Sequence, residues 1–311
     1  MRILYLLFTM FCFLRANTLL PPSDFLGYNL GDKFTPHHLV VDYLFHVSQN
    51  EPNVKIIEYG KTYEGRPLML AFISSVENMD KLEQIRKDNL TRAGIIKGST
   101  KTKKVGIVWL SYNVHGNEAN STEAAMKTLH ALADKSNINT QEWLKNTVVI
   151  IDPSVNPDGR DRYANWYRMT ANRWPDADPL GREHMEPWPG GRTNHYYFDL
   201  NRDWAWQTQI ESQQRIIKYN EWLPHIHVDF HEQGYNSPYF FAPAAKPLHQ
   251  YITDWQKDFQ KTIGLNHAKY FDRNNWLYFT KESFDLLYPS YGDTYPTYNG
   301  AIGMTYEQAG H

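Results

Sequence analysis

The chain has 311 residues, enough for one large α/β domain or two ordinary ones with a full apolar core. Its 32 Lys and Arg against 34 Asp and Glu leave a net charge of −2, which argues against the broad basic face that nucleic acid or an acidic membrane would need. The only cysteine, Cys12, excludes intrachain disulfides, and its loss with the segment that bears it would exclude thiolate metal ligands too.

That segment, MRILYLLFTMFCFLRAN, has one early positive charge, an apolar run from Ile3 to Leu14, and small Ala16 before polar Asn17. The run is too short to span a bilayer and has the three-part layout of a secretory signal peptide. Residues 1–16 are therefore expected to be cleaved, and residues 17–311 to form a secreted or periplasmic domain with no membrane span.

FTPHHLVVDYLFHVSQ predicts a helix with Thr35 as N-cap, Pro36 in the first turn, and Leu39, Tyr43, Leu44 and Val47 on one face. VKIIEYG and PLMLAFISS predict two strands joined by the turn KTYEGR. Val105 to Leu110 is an almost wholly apolar strand of the kind buried on both faces. STEAAMKTLHALAD follows as a helix with Ala125, Leu129, Leu132 and Ala133 on one side, and NTVVIIDPSVNPDG as a strand ending in a Pro/Asn/Gly turn. Strand, helix and strand in this order predict a parallel, doubly wound α/β sheet. Trp174 to Tyr197 is dense in Pro, Gly, Asp and Arg without a period, and is expected to be a rim loop. Beyond it come a helix in WQTQIESQQRIIKYNEWL and a strand in HIHVDFHEQG. LHQYITDWQKDFQKTIG reads as a helix with Leu248, Tyr251, Ile252, Trp255, Phe259 and Ile263 on one face. GAIGMTYEQAGH is the last strand.

Without cysteine, a catalytic zinc site needs three His, Glu or Asp ligands and one open position. Of the 13 histidines, His37, His38, His46, His130, His249 and His267 fall in helical patterns without ligand partners and read as ordinary surface or core residues. His115 and Glu118 leave the C-terminal end of a buried strand, where open α/β sheets place ligands, although His-x-x-Glu alone is a weak pattern. His225, His227 and His231 share strand parity, but strand rise separates His227 from His231 by about 13 Å, so one metal cannot easily take both. His231, at the strand exit, is the better ligand, and His225 and His227 read as structural. Glu307 ends the last apolar strand, a suitable place for a carboxylate that takes a proton from an attacking water. Sequence alone leaves open whether that strand lies beside the others.

The ordered series HGNE, NPDG, DLNRDW, DFHEQ and GMTYE resembles the zinc metallocarboxypeptidase family typified by pancreatic carboxypeptidase A, from YGKTYEGRPL near Tyr59 to Glu307. The resemblance implies an α/β fold with a mixed, mostly parallel eight-stranded sheet and a loop-built funnel. It also implies one catalytic zinc on His115, Glu118 and His231, Glu307 as general base, and a peptide substrate cut at its C-terminus. Asn201 and Arg202 match the pair that holds the substrate's terminal carboxylate, a task suited to the arginine fork. For the arginine that supports the oxyanion, Arg168 matches best by spacing, with Arg173 and Arg192 as competitors. Tyr288 aligns with the tyrosine that closes over substrate. Tyr295 falls near the residue that reads the substrate side chain, and being neither acidic nor basic it gives no sign of a purely basic-specific enzyme.

REHMEPWPGGRTNHYYF departs from the family as a rim insertion. The chain ends four residues after Glu307, where family domains continue into a closing helix, so a domain incomplete at its C-terminal end is expected. Two other readings remain: a related zinc peptidase acting on cell-wall peptides, and a catalytically silent binding module.

Overall fold

The computed structural model describes residues 18–310, so the signal-like segment 1–16 lies outside the described residues. Ten strands follow one another within them: β1 (Val54–Lys61), β2 (Pro67–Ile73), β3 (Gly106–Tyr112), β4 (Thr147–Asp152), β5 (Ile226–Gln233), β6 (Tyr239–Phe240), β7 (Ala245–Leu248), β8 (Tyr278–Phe279), β9 (Asp285–Leu286) and β10 (Ile302–Ala309). Eight of them form one sheet in the order β1-β2-β4-β3-β5-β10-β6-β8, while β7 and β9 pair separately. The centre, β4-β3-β5-β10, is parallel throughout; β1 with β2, β2 with β4, and β10 with β6 are antiparallel. This is the mixed, mostly parallel eight-stranded architecture, and its long apolar strands are central because both sheet faces are covered.

One face packs against the His37–Asn50 and Asn120–Ala133 helices, with Val40, Tyr43, Leu44, Val47, Ala125 and Leu129 meeting Met69, Ala71, Val149 and Ile151. The other packs against the Ile210–Trp222 helix, whose Ile216, Tyr219 and Trp222 meet Phe72, Trp109 and Ile150. Alternate residues of β2 and β4 thus serve opposite cores, which is why neither strand shows a polar face in sequence.

Three local expectations are corrected. Thr35 does not cap the first long helix, which begins at His37 after Pro36. Instead its N–H and hydroxyl donate to the Glu123 carboxylate at 2.7 and 2.8 Å. Glu123 also accepts from the buried Arg160 at 2.6 Å, so a charged group deep in the fold is fully partnered. NPDG is the start of the Pro157–Thr170 helix rather than a turn, because Asn156 Oδ1 accepts from the Gly159 N–H and Pro157 occupies the first position. The long C-terminal helix runs Asp254–Asn274 and does not include Leu248 or Tyr251, since Thr253 and Gln256 form a capping box and fix its start. Its Gln260 donates to the Gly303 carbonyl, which docks the helix on β10.

Candidate active site

β3 ends at Tyr112, and the chain turns through Asn113 in the left-handed region (φ 59°), a conformation that asparagine adopts more readily than most residues. The Asn113 amide donates to the carbonyls of His115, Gly116 and Glu118 at 2.9, 3.2 and 3.1 Å, and its Oδ1 accepts from Ser154 at 3.0 Å. One side chain therefore fixes the loop that presents both residues of the HGNE motif. Gly116 is demanded by close approach, since a Cβ there would stand 2.2 Å from the Arg160 backbone nitrogen.

Nδ1 of His115 lies 2.6 Å from Glu118 Oε1, Nδ1 of His231 lies 3.0 Å from Glu118 Oε2, and the two Nδ1 atoms are 3.2 Å apart. The outer nitrogens face carboxylates: His115 Nε2 is 3.0 Å from Asp199 Oδ1, and His231 Nε2 is 3.0 Å from Asp229 Oδ2. Carboxylates on that side orient the rings, and in both histidines it is Nδ1 that turns toward the shared point. Two imidazole nitrogens and a carboxylate, all buried and with ligating atoms within 4.8 Å of one another, fit a zinc ion. Burial pushes the Glu118 carboxyl up, but the adjacent His115 and His231 outweigh it and hold the group well below the usual carboxylate range.

The parallel pairing of β10 with β5 sets Glu307 directly beside His231, so the last strand does adjoin the ligand-bearing one. Glu307 is buried, which raises its carboxyl to about 7. It lines a cleft of about 280 Å³ together with the three candidate ligands, Arg192, Asn201, Arg202 and Tyr291. Asn201 Oδ1 accepts from the Gly292 N–H at 2.7 Å, and the Arg202 guanidinium lies 4.6 Å from the Tyr291 ring centre.

Other sequence-based candidates lie elsewhere. Arg168 sits exposed in the last turn of the Pro157–Thr170 helix and donates to the Phe34 carbonyl. Counting residues past NPDG follows this helix away from the strand ends. Arg173 stacks on Trp174. Arg192 is the competitor that reaches the cleft, 3.5 Å from Glu118 and 3.0 Å from Asp199. Tyr288 does not line the cleft: its hydroxyl accepts from Trp206 Nε1, and Tyr291, three residues on, takes the wall position. Tyr295 packs near Trp204 and Tyr219, ring centres 5.7 and 6.4 Å away, because the short Thr294–Tyr298 helix turns it from the cleft. Asp293 and Thr305 line the cleft in its place. His225 Nδ1 accepts from the Ile107 N–H, and His227 is buried between Trp204 and Tyr219, both outside the ligand set. Asp199 and Asp229 were not singled out from sequence, although DLNRDW and the parity of β5 put both within reach of such a reading.

A buried His–Glu–His set at the carboxyl ends of a mixed parallel sheet, with a carboxylate and two arginines in the same cleft, has the donor set of a metal centre with a base beside it. The family model described as zinc carboxypeptidase matches residues 40–266, and the chain belongs to that family. A comparison with curated proteins gives no match. Among solved structures, the chain is similar to a metallo-carboxypeptidase from Burkholderia cenocepacia, with 18% identity, a TM-score of 0.60, and coverage of 88% of this chain and 60% of that one. It is also similar to carboxypeptidase A from Helicoverpa armigera, with 18% identity, a TM-score of 0.59, and coverage of 93% and 70%. At these identities the likeness is one of fold. The chain spans about three-fifths of the length of the Burkholderia protein.

No helix among the described residues is long and apolar enough to cross a membrane.

Proposed function

We propose that the chain is a zinc-dependent carboxypeptidase that removes residues from the C-terminus of peptides. The observation that carries this reading is the convergence of His115 Nδ1, His231 Nδ1 and the Glu118 carboxylate within one cleft that also holds Glu307, Asn201 and Arg202. These three residues would hold zinc, which when bound supplies Lewis-acid polarisation of a carbonyl and lowers the pKa of a water ligand.

The protein's own groups do the rest. Glu307, buried beside the ligand set, takes a proton from the attacking water and returns it to the leaving amine. Arg202 and Asn201 bind the terminal carboxylate and so set the scissile bond one residue from the peptide end. Arg192 stabilises charge developing on the carbonyl oxygen. Arg168, Tyr288 and Tyr295, offered by the family resemblance for catalysis or substrate reading, take no part in this scheme because none lines the cleft. The signal-like N-terminal sequence supports export, and peptides outside the cytoplasm are the expected substrates.

The test is digestion of a peptide library by the zinc-loaded protein, read by mass spectrometry. Ladders shortened from free C-termini are expected, with amide-blocked peptides left intact. Internal cleavage alone would overturn the exopeptidase reading, and release only from cross-linked wall peptides would redirect it.

A further inference from the structure

Beneath the ligand set runs a row of polar side chains that direct catalysis does not use. In the parallel register, Ser111 pairs with both Asp152 and Asp229, and Asp229 pairs with Thr305. Directly paired residues share a face, so these four line up across β4, β3, β5 and β10, two residues or about 6.6 Å below the row of His231 and Glu307. All four are buried. The Ile210–Trp222 helix adds Glu211, Ser212 and Arg215 from its buried side.

Arg215 is completely buried, with its guanidinium 3.9 Å from the centre of the Trp204 ring. Its Nε, Nη1 and Nη2 have no hydrogen-bond partner among the described residues. The same holds for Asp152 Oδ1, Glu211 Oε1, Ser111 Oγ, Ser212 Oγ and Trp204 Nε1. Asp229 makes no aligned hydrogen bond either, although its Oδ2 stands 3.0 Å from His231 Nε2. A buried guanidinium and buried carboxylates are stable only when solvated or paired. Donors and acceptors here occur together in one layer, the arrangement that internal water joins. Arg215 and Asp229 both act on His227 and on Asp152, so the two charges lie within electrostatic reach of common neighbours. Gly292 marks how close Trp204 comes: a Cβ there would be 1.8 Å from Asp229 Oδ2 and 3.0 Å from Trp204 Nε1.

We propose that Arg215 is a positioning residue of the metal centre: through internal water it supplies the counter-charge to the row containing Asp152 and Asp229, and so holds Asp229 against His231 Nε2 with Nδ1 aimed into the cleft. This rests on the reading of His115, Glu118 and His231 as a zinc site. The carboxylate contacted by a ligand histidine is then itself held in place from the opposite side of the core, and metal affinity depends on a residue that touches no ligand.

The test uses the full chain with zinc alone as probe, its dissociation constant read by competition with a chromophoric chelator, beside the melting temperature of the metal-free protein. Arg215→Met is expected to weaken zinc binding about 10- to 100-fold. Arg215→Lys, which keeps the cation, is expected to recover most of that loss. Ser111→Ala leaves every charge in place and is expected to weaken binding about threefold or more, so it decides the matter if Arg215→Met fails to fold. A folded Arg215→Met protein with wild-type zinc affinity would overturn the proposal, as would wild-type affinity in Ser111→Ala. A lowered melting temperature with unchanged zinc affinity would assign Arg215 a structural role only. If the wild-type chain itself binds no zinc, the proposed function fails first, and the two failures are thereby told apart.

Discussion

His115 and His231 present their Nδ1 atoms to each other at 3.2 Å, with the Glu118 carboxylate touching both. Burial lowers both imidazoles, but their carboxylate neighbours outweigh it and hold them above the ordinary histidine value, so without metal protons occupy this junction and a zinc ion would take their place. Zinc at about a hundred times its dissociation constant is expected to stabilise the fold by about 2.7 kcal/mol. For a domain of this size that raises the melting temperature by roughly 4–5 °C. His231→Ala should remove the rise, and identical melting curves with and without zinc in the wild type would count against the site.

Glu307→Gln keeps the shape of the side chain and removes its basicity. Turnover is expected to fall by about 10²- to 10⁴-fold while zinc affinity stays near that of the wild type. Burial raises the carboxyl to about 7 in the metal-free protein, and the charge of bound zinc draws it lower. Activity should therefore rise with pH along an acid limb centred below 7. The mutant should lose that limb in a pH profile of kcat/KM; retention of both the limb and the rate would discard Glu307 as the base.

The two arginines make a clean comparison. Arg192→Met, at the cleft, is expected to lower kcat by about 10²- to 10³-fold. Arg168→Met removes an exposed side chain bonded only to the Phe34 carbonyl, so its steady-state rates should match the wild type. The opposite outcome would restore the assignment made from spacing.

Arg202→Met should cost about 10- to 100-fold in kcat/KM for peptides with a free C-terminus, the range of one charge-assisted hydrogen-bonded pair. It should leave the already poor cleavage of amidated peptides unchanged. Equal losses on both substrates would mean that Arg202 reads something other than the terminal carboxylate.

Stability has its own pH signature at His37. Burial is the main cause that lowers its imidazole to about 4, although Nε2 is 2.8 Å from the Pro67 carbonyl. Between about 6.5 and 4 the unfolded chain takes up a proton that the folded one refuses. This contribution is complete above about 6.5 and is lost as pH falls through that window, on the order of 3 kcal/mol in all. Urea midpoints measured across it should fall more steeply for the wild type than for His37→Gln; parallel curves would rule His37 out.

The ligand set was legible because each member sits where a buried strand leaves the sheet, and buried strands announce themselves as apolar runs. Glu307 could be placed at such an exit too, but its nearness to His231 depends on β10 pairing with β5, a contact across 76 residues that no local pattern encodes. Arg192 was harder still. Its position follows from a loop shaped at long range, with Glu186 accepting from the Gly191 N–H and Arg162 donating to the Gly190 and Asn194 carbonyls. Spacing from NPDG favours Arg168, but that count runs along the Pro157–Thr170 helix, whereas Arg192 reaches the cleft through the loop beyond it. Tyr288 and Tyr291 are equally aromatic in sequence, and the fold separates them: Tyr288 accepts a hydrogen bond from Trp206, while Tyr291 lines the cleft.

The register that sets Glu307 beside His231 has a practical reach. A slip of one residue in β10 would bring Tyr306 or Gln308 into that place and turn the carboxylate to the other side of the sheet. Such a molecule would keep its secondary structure and much of its apolar contact, and by ordinary spectroscopic measures it would pass as folded. Turnover per mole of bound zinc would then serve as a head count of chains whose final strand had settled in the right groove.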